Sequence, residues 1–167
     1  MKRTVATAAA VLIAALSVAT PAQAAPPADC ANGSYSDALP PYHTHWVLGE
    51  RSYTGGTIIA NTTYRFWLRE NAAYTPPLFV SARRATCNVL VQYVDAMQPT
   101  WQTGNLPCLV TGEYRDPASA TTYHVLLGER VNRLNTITQA TANFRFWITE
   151  QRSASGRSYL DSSIVMC

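Results

Sequence analysis

The chain is 167 residues long, with 47% apolar and 14% charged residues and a formal net charge of +3. Beyond residue 24 it holds eleven arginines and no lysine against ten carboxylates, a net charge of +1. A near-neutral chain without a basic block has little to offer a nucleic acid or an anionic membrane, and neither is expected as a partner.

Residues 1–24 read as a secretory signal peptide. Lys2 and Arg3 open it, Val5 to Val18 is apolar, and Ala22-Gln-Ala24 supplies a small-x-small cleavage site. The apolar stretch is short for a membrane span, and no second long one follows. No Cys stands directly after the cut, which argues against a lipid anchor. The expectation is a secreted, extracellular protein of bacterial type, cleaved near Ala24. Residues 25–29 read as a flexible leader.

Residues 30–87 and 108–167 read as one β unit written twice. The first copy runs Cys30, Gly33-Ser-Tyr35-Ser-Asp37, His45-Trp-Val-Leu-Gly-Glu-Arg51, Tyr64-Arg-Phe-Trp-Leu-Arg-Glu70, Cys87. The second runs Cys108, Gly112-Glu-Tyr114-Arg-Asp116, His124-Val-Leu-Leu-Gly-Glu-Arg130, Phe144-Arg-Phe-Trp-Ile-Thr-Glu150, Cys167. Five blocks recur in one order, with offsets that slip only from 78 to 80.

Turn signals at the Pro-Pro and Gly-rich steps separate short runs rich in β-branched and aromatic residues. Strands are expected over 43–50, 57–69, 78–86, 88–95, 109–114, 121–129, 135–149 and 158–166. No segment shows a sustained helical period. The fold class is therefore all-β, a small sandwich or barrel built from two tandem, disulfide-stapled repeats packed as one globule. Residues 88–107 join the copies. Their first half is too apolar for a loose linker and is expected to add one strand that docks one copy on the other.

An even count of four cysteines in an exported chain predicts two disulfides. Each copy begins and ends with a Cys, which favours Cys30–Cys87 and Cys108–Cys167. The alternative is Cys87–Cys108 with Cys30–Cys167. The spacing is not that of a metal or redox motif.

Candidate chemistry centres on the Phe-Trp blocks. Strand alternation sends Tyr64, Phe66 and Leu68 one way and Arg65, Trp67 and Arg69 the other; in the second copy Phe144, Phe146 and Ile148 oppose Arg145, Trp147 and Thr149. Trp67 and Trp147, with Arg65, Arg69 and Arg145, are thus the candidate ligand-binding residues, an aromatic platform in each copy unless the faces are covered as core. His45 and His124, each four residues ahead of Gly-Glu-Arg, could supply a hydrolase with acid, base and anion clamp. Adjacent Glu and Arg diverge on a strand, however, which favours salt bridges to other strands, and the Gly reads as a bulge. His43 and His45 have metal-ligand spacing but no evident third ligand. Asp37 and Asp116 read as turn residues bonding backbone amides. No metal or cofactor is expected.

These features favour a secreted, non-enzymatic binding module whose partner is an extracellular glycan or protein. The alternatives are a structural or surface-coat protein and a small secreted hydrolase. If the partner were a protease, Met97-Gln-Pro-Thr-Trp101 is the candidate inhibitory loop.

Overall fold

The computed structural model describes residues 28–54, 61–102 and 104–167; the expected signal peptide and residues 25–27 of the leader lie outside them. The fold is all-β, with two four-residue helices. In chain order the elements are α1 (Ala28–Ala31), β1 (Tyr35–Ser36), β2 (His43–Tyr53), β3 (Thr62–Asn71), β4 (Leu78–Cys87), β5 (Gln92–Met97) and β6 (Thr100–Trp101). There follow α2 (Leu106–Leu109), β7 (Glu113–Arg115), β8 (Thr122–Arg133), β9 (Thr141–Ser153) and β10 (Gly156–Met166). Among the described residues, no helix is long and apolar enough to cross a membrane.

Hydrogen bonding joins ten strands in the order β1-β2-β3-β4-β8-β9-β10-β6, with β5 beside β4 and β7 beside β8. A single parallel bridge, Leu78 to Arg133, connects β4 to β8. The sheet therefore divides into two antiparallel halves of matching order, β1 to β4 and β7 to β10. Each half carries its own disulfide, Cys30–Cys87 or Cys108–Cys167, tying a short helix to the end of the last strand.

The inner faces of the two halves meet in one core. Phe66 and Leu68 of β3 pack in one cluster with Phe144, Phe146 and Ile148 of β9, and the Phe66 and Phe146 rings lie 6.2 Å apart. β2 and β8 cross where both carry a bulge, at Val47/Gly49 and Leu126/Gly128. A Cβ on Gly49 would sit 2.5 Å from the carbonyl oxygen of Leu127, and one on Gly128 would sit 2.1 Å from that of Leu48. The repeated Gly thus lets two backbones touch.

Several expected elements shift, each for a local reason. Asp29, placed in the leader by sequence, is buried in α1 and held by Arg83. The expected strand over 57–69 is seen from Thr62, its first four residues lying outside the described set. Residues 88–91 turn rather than extend, because Asn88 Oδ1 accepts the amide of Leu90. In the same way Asn135 Oδ1 accepts the amides of Ile137 and Thr138, so β9 begins only at Thr141. Pro107 sits in the first turn of α2, which displaces the start of the expected strand 109–114 to Glu113. The joining segment provides two strands, one to each half: β5 runs antiparallel to β4 and β6 parallel to β10.

Candidate functional site

The Trp-bearing faces are covered. Trp67 is 0% exposed and Trp147 is 2% exposed, so neither indole is a surface platform in the folded chain. The physical reason is the same in both halves. The tyrosine of the Gly-x-Tyr-x-Asp block meets the indole edge-on, Tyr35 at 5.7 Å from Trp67 and Tyr114 at 5.3 Å from Trp147. The same tyrosines stack on histidine, Tyr35 on His45 at 4.4 Å and Tyr114 on His124 at 4.6 Å.

The arginines beside each Trp hold the structure together. Arg65 Nη1 donates to the carbonyls of Asp29, Cys30 and Asn32, closing the C-terminal end of α1, while its Nε donates to Glu50. Arg145, itself buried, donates to the Pro107 carbonyl and to Glu129. Arg69 keeps partial exposure but donates to Asp37 at 3.0 Å.

The histidines of the alternative hydrolase reading are taken up by partners within the fold. His45 is buried with both ring nitrogens engaged, Nε2 by Asp37 at 3.0 Å and Nδ1 by Arg83 Nη2 at 3.0 Å. Arg83 in turn is clamped by Asp29. Burial, and then the neighbouring Arg83 charge, hold the His45 imidazole below its ordinary range against the opposing pull of Asp37. His124 is engaged likewise, by Asp116 at 3.3 Å and by the Thr149 hydroxyl at 3.1 Å. Neither imidazole has a nitrogen left to take a substrate proton. His43 lies 3.6 Å from the same Asp37, and no metal-holding cluster of three or more His, Cys, Asp or Glu exists among the described residues.

Asp116 behaves as the sequence suggests, accepting the Ala118 amide, which with His124 keeps its carboxyl below the usual range. Asp37 departs from that expectation, because its carboxylate is taken up by side chains. Desolvation works to raise it, but Arg69 and His45 together outweigh this and hold it low.

Glu50 and Arg51 part as adjacent strand residues must. Glu50 binds Arg65 of its own half, whereas Arg51 crosses to Glu150 of the other half with two bonds of 2.8 Å. The reciprocal pair is Arg130 with Glu70, two bonds of 2.6 Å. Each buried carboxylate has further donors: Trp46 and Asn132 for Glu70, Tyr53 and Arg152 for Glu150. Burial works to raise both carboxyls, but hydrogen bonds from Arg130, Asn132 and Trp46, and from Arg51, Arg152 and Tyr53, hold them below the ordinary carboxylate range. The Gly-Glu-Arg and Phe-Trp blocks are thus the device that locks the halves together.

Exposed apolar surface lies elsewhere, mostly in the unrepeated segment and just after it. Of fourteen large apolar residues exposed among the described residues, eight fall between Val89 and Leu109. Trp101 is the exposed tryptophan, at 57%, next in the chain to α2 with Leu106 at 40% and Leu109 at 69%. This tryptophan has no counterpart in the other copy, and the sequence marks it only as the end of the candidate inhibitory segment Met97–Trp101. Its segment is not a free loop of the kind an inhibitor presents. Met97 packs on the core, and Thr100 and Trp101 are tied to Val165 and Met166 of β10. A comparison with models of protein families finds no match, and comparisons with curated proteins and with solved structures find none either.

Proposed function

We propose that this chain is an exported, non-enzymatic interaction module that binds a protein partner through the patch of Trp101, Leu106 and Leu109. The carrying observation is an indole more than half exposed, five residues ahead in the chain of two exposed leucines at i and i+3 on one helical turn. Exposed apolar groups gathered in one place mark interaction sites, and Trp is prominent among the residues that anchor interfaces. A glycan would want polar donors and acceptors around the ring. Here Asn105 Nδ2 is already bonded to Gln102 Oε1 at 2.6 Å, and the exposed residues Leu106 and Leu109 are apolar, which favours a protein. Export is supported by the signal-like residues 1–24 and by two disulfides, a pattern of oxidising compartments.

The test places a photo-crosslinking amino acid at Leu109 and exposes the oxidised protein to the extracellular fraction of its source. A discrete crosslinked protein, lost on Trp101→Ala while the melting temperature holds, is the expected result. Crosslinks only to further copies of the chain would favour the surface-coat reading instead. A crosslinking pattern indifferent to Trp101→Ala would overturn the assignment of the patch.

A further inference from the structure

We infer that β5 is a self-association edge, at which two copies of this chain pair β5 against β5, antiparallel, about a two-fold axis at Val94. This goes beyond the partner patch at Trp101 and uses none of its residues.

The backbone of β5 fixes which groups are free. The amide of Asn88 donates to the carbonyl of Val91, which starts the hairpin ladder as a hydrogen-bonded pair. Antiparallel pairs alternate, so along the register Thr86–Tyr93, Arg84–Asp95 and Ala82–Met97 are the bonded pairs with β4. The N–H and C=O groups of Gln92, Val94 and Ala96 consequently point away from β4, where among the described residues no further strand is paired. These three residues are exposed and uncharged.

Edges that must stay solitary are normally guarded by charge, bulges, proline or brevity. The other edge strands named here are guarded in this way. β1, β6 and β7 have only two or three residues. β2 has its bulge followed by Glu50 and Arg51, β8 its bulge followed by Glu129 and Arg130, and β10 a bulge at Tyr159/Asp161 with Arg157 and Asp161 around it. β5 is six residues long, keeps an unbroken register and has no proline. Its one charge, Asp95, is neutralised by Arg84 at 2.6 Å.

The strand is also complementary to itself. A two-fold at Val94 sets Val94 against Val94 and Gln92 against Ala96, and about six backbone hydrogen bonds close between the copies. Tyr93 then faces Asp95 of the second copy in the closer, non-bonded pair, where its hydroxyl can donate to that carboxylate. No like charges meet anywhere along the six residues.

The experiment uses the oxidised chain beyond residue 24. Sedimentation equilibrium should move from one-chain to two-chain mass as concentration rises. Val94→Lys sets two ammonium groups across the axis and should return the monomer with an unchanged melting temperature, while Val131→Lys, also on an exposed residue, leaves the dimer intact. If the lysine variant fails to fold, amide exchange of the unmodified protein decides. Exchange at Gln92, Val94 and Ala96 should slow with concentration, while Tyr93 and Asp95, already bonded to β4, stay constant. A one-chain mass up to about millimolar concentration, a dimer indifferent to Val94→Lys, or concentration-independent exchange at those three amides would each overturn the inference. Loss of crosslinking from Leu109 would leave it standing.

Discussion

The outer faces of the two halves solve one packing problem with different chemistry. In both, a Tyr–His stack lies over a buried indole, and an aspartate holds His Nε2. In the first half His45 Nδ1 meets Arg83, which is clamped to Asp29 of α1. In the second half His124 Nδ1 meets the Thr149 hydroxyl, and Ser163 and Pro107 stand in the places of Arg83 and Asp29. The inner faces, by contrast, match closely, with crossing glycines, opposed phenylalanines and reciprocal Glu–Arg clamps. Residues at the junction answer to each other across the molecule, so both halves need them. An outer face answers only to its own half and can vary.

The strongest way to break this comparison is to strike the junction. Phe66 and Phe146 are each fully buried in the shared core. Phe66→Ala and Phe146→Ala should each cost about 3–5 kcal/mol, and the losses should be non-additive because the two rings touch. Calorimetry of either variant should show one transition. Two separate transitions would mean that the halves fold as independent units.

The clamps come next. Glu70→Gln leaves Arg130 without its carboxylate, and Glu150→Gln does the same to Arg51 and Arg152, so each should cost about 3 kcal/mol in urea denaturation at neutral pH. The sign of the pH dependence follows from their carboxyls being held below the usual 4.5. As pH falls below 4.5 the unfolded chain takes up protons first, so stability present above that value is lost as pH drops through the folded-state values. Either variant should flatten this acid limb. A limb unchanged in both would remove the clamps from the explanation.

Much of this junction was legible in sequence. The disulfide pairing followed from Cys bounding each copy, the inward set Phe66, Leu68, Phe146 and Ile148 followed from strand alternation, and the Gly-Glu-Arg glycines read as bulges. What alternation could not supply was the cover on the second face. Trp67 and Trp147 point away from the core as expected, but Tyr35 and Tyr114 of the short strands β1 and β7 lie against them, and such short pieces leave no periodic signal. Nor does a strand pattern reveal that Arg51 and Arg130 cross between halves, since partner choice depends on how the sheets face each other. Trp101 was legible only as the end of the candidate inhibitory segment Met97–Trp101, because a residue that occurs once has no second copy to mark it.

The smallest effect tests the outer faces directly. Arg83→Ser gives the first half the residue that stands at the matching place in the second. It removes the ion pair with Asp29 and one hydrogen bond to His45, for an expected loss of about 1–2 kcal/mol at neutral pH. Its sharper signature lies in the pH dependence. The His45 imidazole is held below its ordinary 6.5 first by burial and then by the Arg83 charge. As pH falls below 6.5 the unfolded chain therefore protonates before the folded one, and stability declines until the folded-state value is passed. With Arg83 gone, one of the three depressing causes (burial, Arg83 and Arg69) is gone, so the interval narrows and the drop between pH 7.5 and pH 5.5 should shrink relative to the parent. Urea denaturation at the two pH values measures it. An equal drop in parent and variant would show that Arg83 does not tune His45, and the difference between the halves would then be one of packing alone.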